Sequence, residues 1–195
     1  MPRAGLDAAA VIEAGAALAD EIGLDRLSMS VVAERLGVKA PSLYKHVDSL
    51  AALTHGIAVL GATEVGDAVR DATQGRAGGE ALVAAAQALR AYVRRHPGRY
   101  AATTGVRIAG PDDPLGPAIE KTLGSLSAVL RGYRLDAGDE IHALRMLRSL
   151  LHGFATLEAA GGFQMDTEVD DSFLWMIAFL DQGLRGLVGE AGSGS

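Results

Sequence analysis

The residues best suited to chemistry lie in one short run, Ser42-Leu43-Tyr44-Lys45-His46. Ser42, Tyr44, Lys45 and His46 offer hydroxyls, a cation, an imidazole and an aromatic ring on about two helical turns. That set fits contact with a nucleic acid. Tyr44 and Lys45 suit phosphate oxygens, and Ser42 suits base edges in a major groove. Chemistry of other kinds finds no residues to rest on. There is no nucleophile elbow, P-loop or dinucleotide glycine pattern. His46, His55, His96, His142 and His152 are scattered, with none paired at helical ligand spacing, so no metal site is expected. Asp112-Asp113, Asp139-Glu140 and Asp170-Asp171 lie in a loop or at helix starts, where caps explain them. No enzyme activity and no cofactor are expected.

A platform must hold the 42–46 run outward, and Leu27 to Val47 reads as two short helices joined by a tight turn. Ser28 is a good N-cap, because its hydroxyl accepts from an otherwise orphan amide. Val32, Ala33 and Leu36 share one helical face. Gly37 stands where the first helix must stop, since glycine enters the left-handed region without steric cost. Val38 returns to the core. Pro41 suits the first turn of the second helix, and Leu43 and Val47 face inward. Lys39 sits just ahead of the second helix, as docking on a duplex requires.

Gly23, Leu27 and Ser28, then Ala33, Gly37 and Val38, then Ser42 to His46 resemble the DNA-binding domain of TetR-family transcriptional regulators. The resemblance covers about residues 6 to 60. It implies that Ser28, Ser30, Lys39, Ala40, Pro41, Ser42, Tyr44, Lys45 and His46 meet DNA. It also implies a helix after Asp48 that joins this domain to a helical ligand domain. Leu50 stands where many relatives carry a lysine, which leaves backbone amides of that helix's first turn to meet a phosphate. Leu150 to Phe163 resembles a C-terminal segment of one TetR subgroup.

The rest of the chain reads as all-α, with about nine helices. Leu6 to Ile22 is amphipathic, with Leu6, Val11, Ile12, Leu18 and Ile22 inward, and Arg3 ahead of it within reach of a phosphate. Asp48 is the expected N-cap of a helix over 49–72. Further helices are expected over 80–95, 100–108 and 115–133. His96-Pro97-Gly98 is read as a break and residues 109–114 as a loop. Another helix follows Asp136 to about Ala160, and a last one runs from Asp170 or Asp171 to about Val188. The expected domains are residues 1–48 for DNA, 49–188 for ligand and dimerisation, and a flexible tail, 189–195.

The 195 residues, 49% hydrophobic and 22% charged, describe a globular chain. A net charge of −6 argues against non-specific nucleic-acid binding by the whole molecule, though not against a local docking face. The absence of cysteine excludes disulfides and fits a reducing cytoplasm. Asp7 and Glu13 interrupt any signal-peptide apolar region. The apolar run Phe173 to Leu180 is too short to span a bilayer.

The last two long helices are apolar on more than one side, which calls for a fully internal position or for a second partner. The expected assembly is a homodimer closed by a four-helix bundle, with Leu151, Phe154, Ile177 and Leu180 at its interface. Tyr92, Tyr100, Arg107, His142, Met146 and Trp175 are the candidate walls of the small-molecule pocket that the resemblance implies. The function expected is a DNA-binding repressor released from a palindromic operator by a ligand. The alternatives are a helical scaffold whose helix pair binds protein, and a regulator without a ligand.

Overall fold

Asp7 accepts a 2.8 Å hydrogen bond from the Ala10 amide and so opens the first helix, α1 (Ala8–Ile22), which Gly23 closes. The computed structural model describes residues 6–191, so Arg3 and residues 192–195 of the tail lie outside it. A 3-10 turn, Leu24–Arg26, leads to α2 (Met29–Arg35) and α3 (Ala40–Leu43). There follow α4 (Leu50–Thr73), α5 (Gly78–Arg95), α6 (Pro97–Gly105), α7 (Leu115–Arg131), α8 (Ala137–Ala159) and α9 (Val169–Ala191). The described residues form nine α-helices and no strand. None of these helices is long and apolar enough to cross a membrane.

Several helix ends differ from expectation, each for a local reason. Ser49, not Asp48, caps α4, because the Ala52 amide donates to its hydroxyl at 3.0 Å. Asp136 holds the N-cap position of α8 without a side-chain bond to an amide. α5 ends at Arg95 and His96 is non-helical, so the break falls where expected, but Pro97 already sits in the first turn of α6, where no amide partner is lost. That helix therefore spans Pro97–Gly105, earlier than the 100–108 the sequence suggests. Val169 opens α9, placing Asp170 and Asp171 in its first turn, where carboxylates are favoured by the helix dipole.

The chain divides into two compact units. One holds the residues up to Glu64 together with Arg95–Ala118; the other holds Val65–Arg94 together with the residues from Ile119 on. Val11, Leu18, Val32, Leu43, Leu53 and Ile57 are buried in the first. Leu82, Leu89, Leu126, Leu147, Phe173 and Leu184 are buried in the second. Ile119 and Leu123 of α7 are half-buried. Leu151, Ile177 and Leu180, read as subunit interface, fill this second core instead. They are exposed by 0%, 1% and 4% in the single chain, which leaves no surface for a partner. Phe154 is half-buried, its ring 4.7 Å from Phe163 and 5.1 Å from Phe173.

A buried arginine ties α5, α8 and α9 together. Arg90 donates to both carboxylate oxygens of Glu158, at 2.7 and 2.6 Å, and to Asp170 at 2.7 Å. Its guanidinium lies 4.6 Å from the centre of the Phe173 ring. Fork geometry and ring stacking together explain why arginine, not lysine, fits here.

Candidate nucleic-acid interface

The Ser28 hydroxyl accepts from the Val31 amide at 3.3 Å and lies 3.0 Å from the Ser30 hydroxyl. The α2 start is thereby fixed. Its end is a Schellman closure: the Gly37 amide donates to Glu34 O and the Val38 amide to Ala33 O, both at 3.0 Å. Gly37 takes φ +65, where a side chain would be strained. Lys39 follows in extended conformation and Pro41 sits in the first turn of α3. The helix itself is only four residues long; residues 44–46 continue it as a turn, with the His46 and Val47 amides both donating to Leu43 O.

Burial sorts the side chains of this segment. Leu43 and Val47 are buried and anchor it. Pro41, Tyr44 and Lys45 are exposed, while Ala40, Ser42 and His46 are half-buried. Lys39 is exposed, and among the described residues neither it nor Lys45 has a carboxylate partner. Arg35 differs. Its guanidinium grips both oxygens of Glu21, and that contact holds the Glu21 carboxyl below its ordinary value. One apparent cation of this region is therefore already neutralised.

Asp113 is a second brace within the same unit. Its carboxylate accepts from the Ala109 amide at 2.7 Å, the Leu115 amide at 2.9 Å, and lies 2.8 Å from His55 Nε2. The two backbone amides, then His55, hold its carboxyl below the usual range.

Residues 11–55 match the family described as bacterial regulatory proteins, tetR family, and residues 82–180 match the tetracyclin repressor-like C-terminal domain. An uncharacterised HTH-type transcriptional regulator of Mycobacterium tuberculosis is 32% identical over 98% of this chain and 88% of its own length. The chain belongs to the TetR family. Another uncharacterised HTH-type regulator, YobS of Bacillus subtilis, is 31% identical over 94% of this chain and 95% of its own. Among solved structures, a possible TetR-family regulator of Streptomyces coelicolor superposes with a TM-score of 0.73 at 23% identity, covering 93% of this chain and 100% of that one. A TetR variant of Acinetobacter baumannii in complex with minocycline gives 0.71 at 23% identity, covering 94% and 98%. This TetR-family chain is thus a DNA-binding transcriptional regulator by descent, and the family is one of regulators, not enzymes.

The six residues read as pocket walls are divided between the two compact units. Tyr92 and Tyr100 are buried, but Tyr100 and Arg107 belong to the first compact unit and the other four to the second. Arg107 and His142 are exposed, as are Met146 and Trp175. Trp175 is 69% exposed and stacks on Phe179 at 5.5 Å. A helix phase that turns a side chain away from its own core also turns it away from an internal pocket. A cavity of about 620 Å³ in the second unit, lined by Arg76, Val83, Gln87, Leu174, Ile177 and Asp181 among others, includes none of the six.

Sequence reasoning missed the buried arginines. Arg90 falls on the apolar stripe of α5 beside Leu82, Leu89 and Val93, and a charge on such a stripe was the available signal. Arg99 carried no comparable mark, because its partners are 35 to 86 residues away.

Proposed function

We propose that this TetR-family regulator is a homodimeric repressor that grips a palindromic duplex operator and is released from it by a small-molecule ligand. The observation that carries the reading is the fixed turn between α2 and α3. It leaves Lys39, Tyr44 and Lys45 outward beside a buried Leu43. Lys39, Tyr44, Lys45 and His46 engage phosphate and sugar, with Ser28 and Ser30 at the edge of the contact. Ser42 lies at base edges, and Ala40 and Pro41 permit close approach. Residues 1–48 do this work; residues 49–188 bind the ligand and the second subunit. The protein acts in the cytoplasm, where its DNA is.

The dimer face follows from what the single chain leaves uncovered. Met146, Leu150 and Leu157 recur along α8 at steps of four and seven, and Trp175 and Phe179 along α9 at a step of four; all are exposed. These stripes, with the flank of Phe154, take the place of Leu151, Ile177 and Leu180. Tyr92, a buried aromatic with a polar tip, is the retained candidate for a ligand contact. Ligand and operator oppose each other with a coupling of roughly 1–3 kcal/mol.

Selection of bound duplexes from a random DNA pool tests the reading. A palindrome whose half-sites lie about 34–36 Å apart is expected. An unenriched pool overturns the DNA assignment; enrichment of a single half-site overturns the dimer.

A further inference from the structure

Arg99 stands third in α6, with its side chain only 9% exposed. Its Nε donates to Asp20 Oδ2 at 3.0 Å, its Nη1 to Glu64 Oε1 at 2.8 Å and its Nη2 to Glu13 Oε1 at 2.7 Å. Its backbone amide donates to Asp20 Oδ1 at 2.9 Å, and His96 Nδ1 lies 2.9 Å from Asp20 Oδ2. Glu13 and Asp20 are seven residues apart on α1, so they share a face two turns and about 10 Å apart. Glu64 lies on α4. One planar guanidinium therefore grips α1 at two points and α4 at a third. A fork with fixed N–H directions restrains rotation as well as separation, which a lysine's point charge does not.

The restraint reaches the docking helices through packing. In this unit α1 packs against both α6 and α2, and α2 packs against α3. A tilt of α1 is handed on to α3. Glu13 shows that stability alone does not account for the arrangement. Its side chain is 58% exposed, and an ion pair that open to water adds little to folding. Its contribution is direction: it fixes the N-terminal half of α1, where Asp20 fixes the C-terminal end. The cluster also sets three carboxylates around one guanidinium. Without the cation they repel, and α1 and α4 are pushed apart.

We propose that Arg99 is a positioning residue for operator binding, holding α1 and α4 at the angle on which the DNA-docking pair rests. This rests on the DNA-binding reading above. A specific complex needs both docking helices in register with the grooves, whereas non-specific binding needs only phosphates within reach.

The test uses the full chain with Arg99→Met, Arg99→Lys and Glu13→Gln. Affinity is measured by fluorescence anisotropy for the selected operator and for an unrelated duplex of equal length. Circular dichroism records how much protein is folded. Arg99→Met is expected to weaken operator binding by about tenfold or more per folded molecule, with the unrelated duplex changed by less than about threefold. Arg99→Lys recovers only part of the loss. Glu13→Gln gives a smaller loss, about threefold, at unchanged melting temperature. A folded Arg99→Met protein with wild-type operator affinity overturns the proposal, because a purely structural residue would do that. Should Arg99→Met not fold, Glu13→Gln decides, and unchanged operator affinity there overturns it. A wild-type protein that does not discriminate between the duplexes overturns the DNA-binding reading and this inference with it.

Discussion

A β-carbon on Gly98 would lie 2.1 Å from both the carbonyl carbon and the oxygen of Ala19. Those are backbone atoms of α1, so neither can swing aside. The two helices touch where no side chain fits between them. Glycine-to-alanine changes inside helices ordinarily stabilise by about 1 kcal/mol. Gly98→Ala is expected to do the reverse, because α6 must move off α1. Overpacking of this kind costs about 1–3 kcal/mol, and the immovable partner places the expected loss near the upper end. Urea unfolding reads it as a lower midpoint at unchanged slope. A variant as stable as wild type would show that α6 does not sit this close to α1.

Asp113 gives the first unit an acid-sensitive brace. Its carboxyl is held below its ordinary value of 3.8 by the Ala109 and Leu115 amides and by His55. A group whose pKa is depressed by folding stabilises the fold above its unfolded value. That stability is lost as pH falls through the folded value. Wild type should therefore lose stability as pH drops from about 5 toward and below 3.8. Asp113→Asn cannot accept from both amides and does not titrate. It should be less stable than wild type at neutral pH, with the gap closing as pH falls below the ordinary carboxylate range. Glu21, Asp67 and Asp181 are also depressed, so some acid slope will remain. Parallel stability curves for the two proteins would remove Asp113 from the account.

The helix pair was legible in the sequence because its determinants are local. Ser28, Gly37 and Pro41 act on backbone groups within a few residues, and each does in the structure what its chemistry suggests. The α4 cap was harder for the same local reason. Asp48 and Ser49 are both good caps, and only the register that sets Ala52 three residues after Ser49 chooses between them. On α8 and α9 the sequence shows that apolar residues occupy more than one face. Which face meets the chain's own core is a property of the packed helices, so Leu151 and Ile177 could not be separated in advance from Leu150 and Phe179. The Arg99 cluster joins positions from α1, α4 and α6, and no pattern within any one of those helices announces it.

Lys45 and Arg35 should behave differently in DNA binding although both are cations of the helix pair. Lys45 is exposed without a carboxylate partner among the described residues, whereas Arg35 is held by Glu21. Each phosphate neutralised contributes about 0.9 to the slope of log affinity against log salt. Lys45→Ala should reduce that slope by about one unit and weaken binding about equally on all sequences. Arg35→Ala should leave the slope unchanged, because it releases no phosphate contact. A Lys45→Ala protein with an altered preferred sequence and an intact slope would reassign the side chain to base readout.

The exposed and buried faces of α9 separate assembly from folding. Trp175 and Phe179 are 69% and 66% exposed, while Ile177, between them in sequence, is 1% exposed. On the dimer reading proposed above, large aromatics left this open on one stripe are the anchors for a second subunit. Trp175→Glu combined with Phe179→Glu should therefore give folded monomers by light scattering, with the far-UV spectrum of wild type. Operator binding should fall steeply, because one subunit spans only one half-site. Ile177→Glu is the contrasting change. It places a carboxylate in the subunit's own core and should destabilise by several kcal/mol, so that the protein fails to fold rather than dissociates. A Trp175→Glu/Phe179→Glu protein that stayed dimeric would move the interface off this stripe. If instead Ile177→Glu gave well-folded monomers, that residue would belong to the interface and the core drawn here for α9 would be wrong.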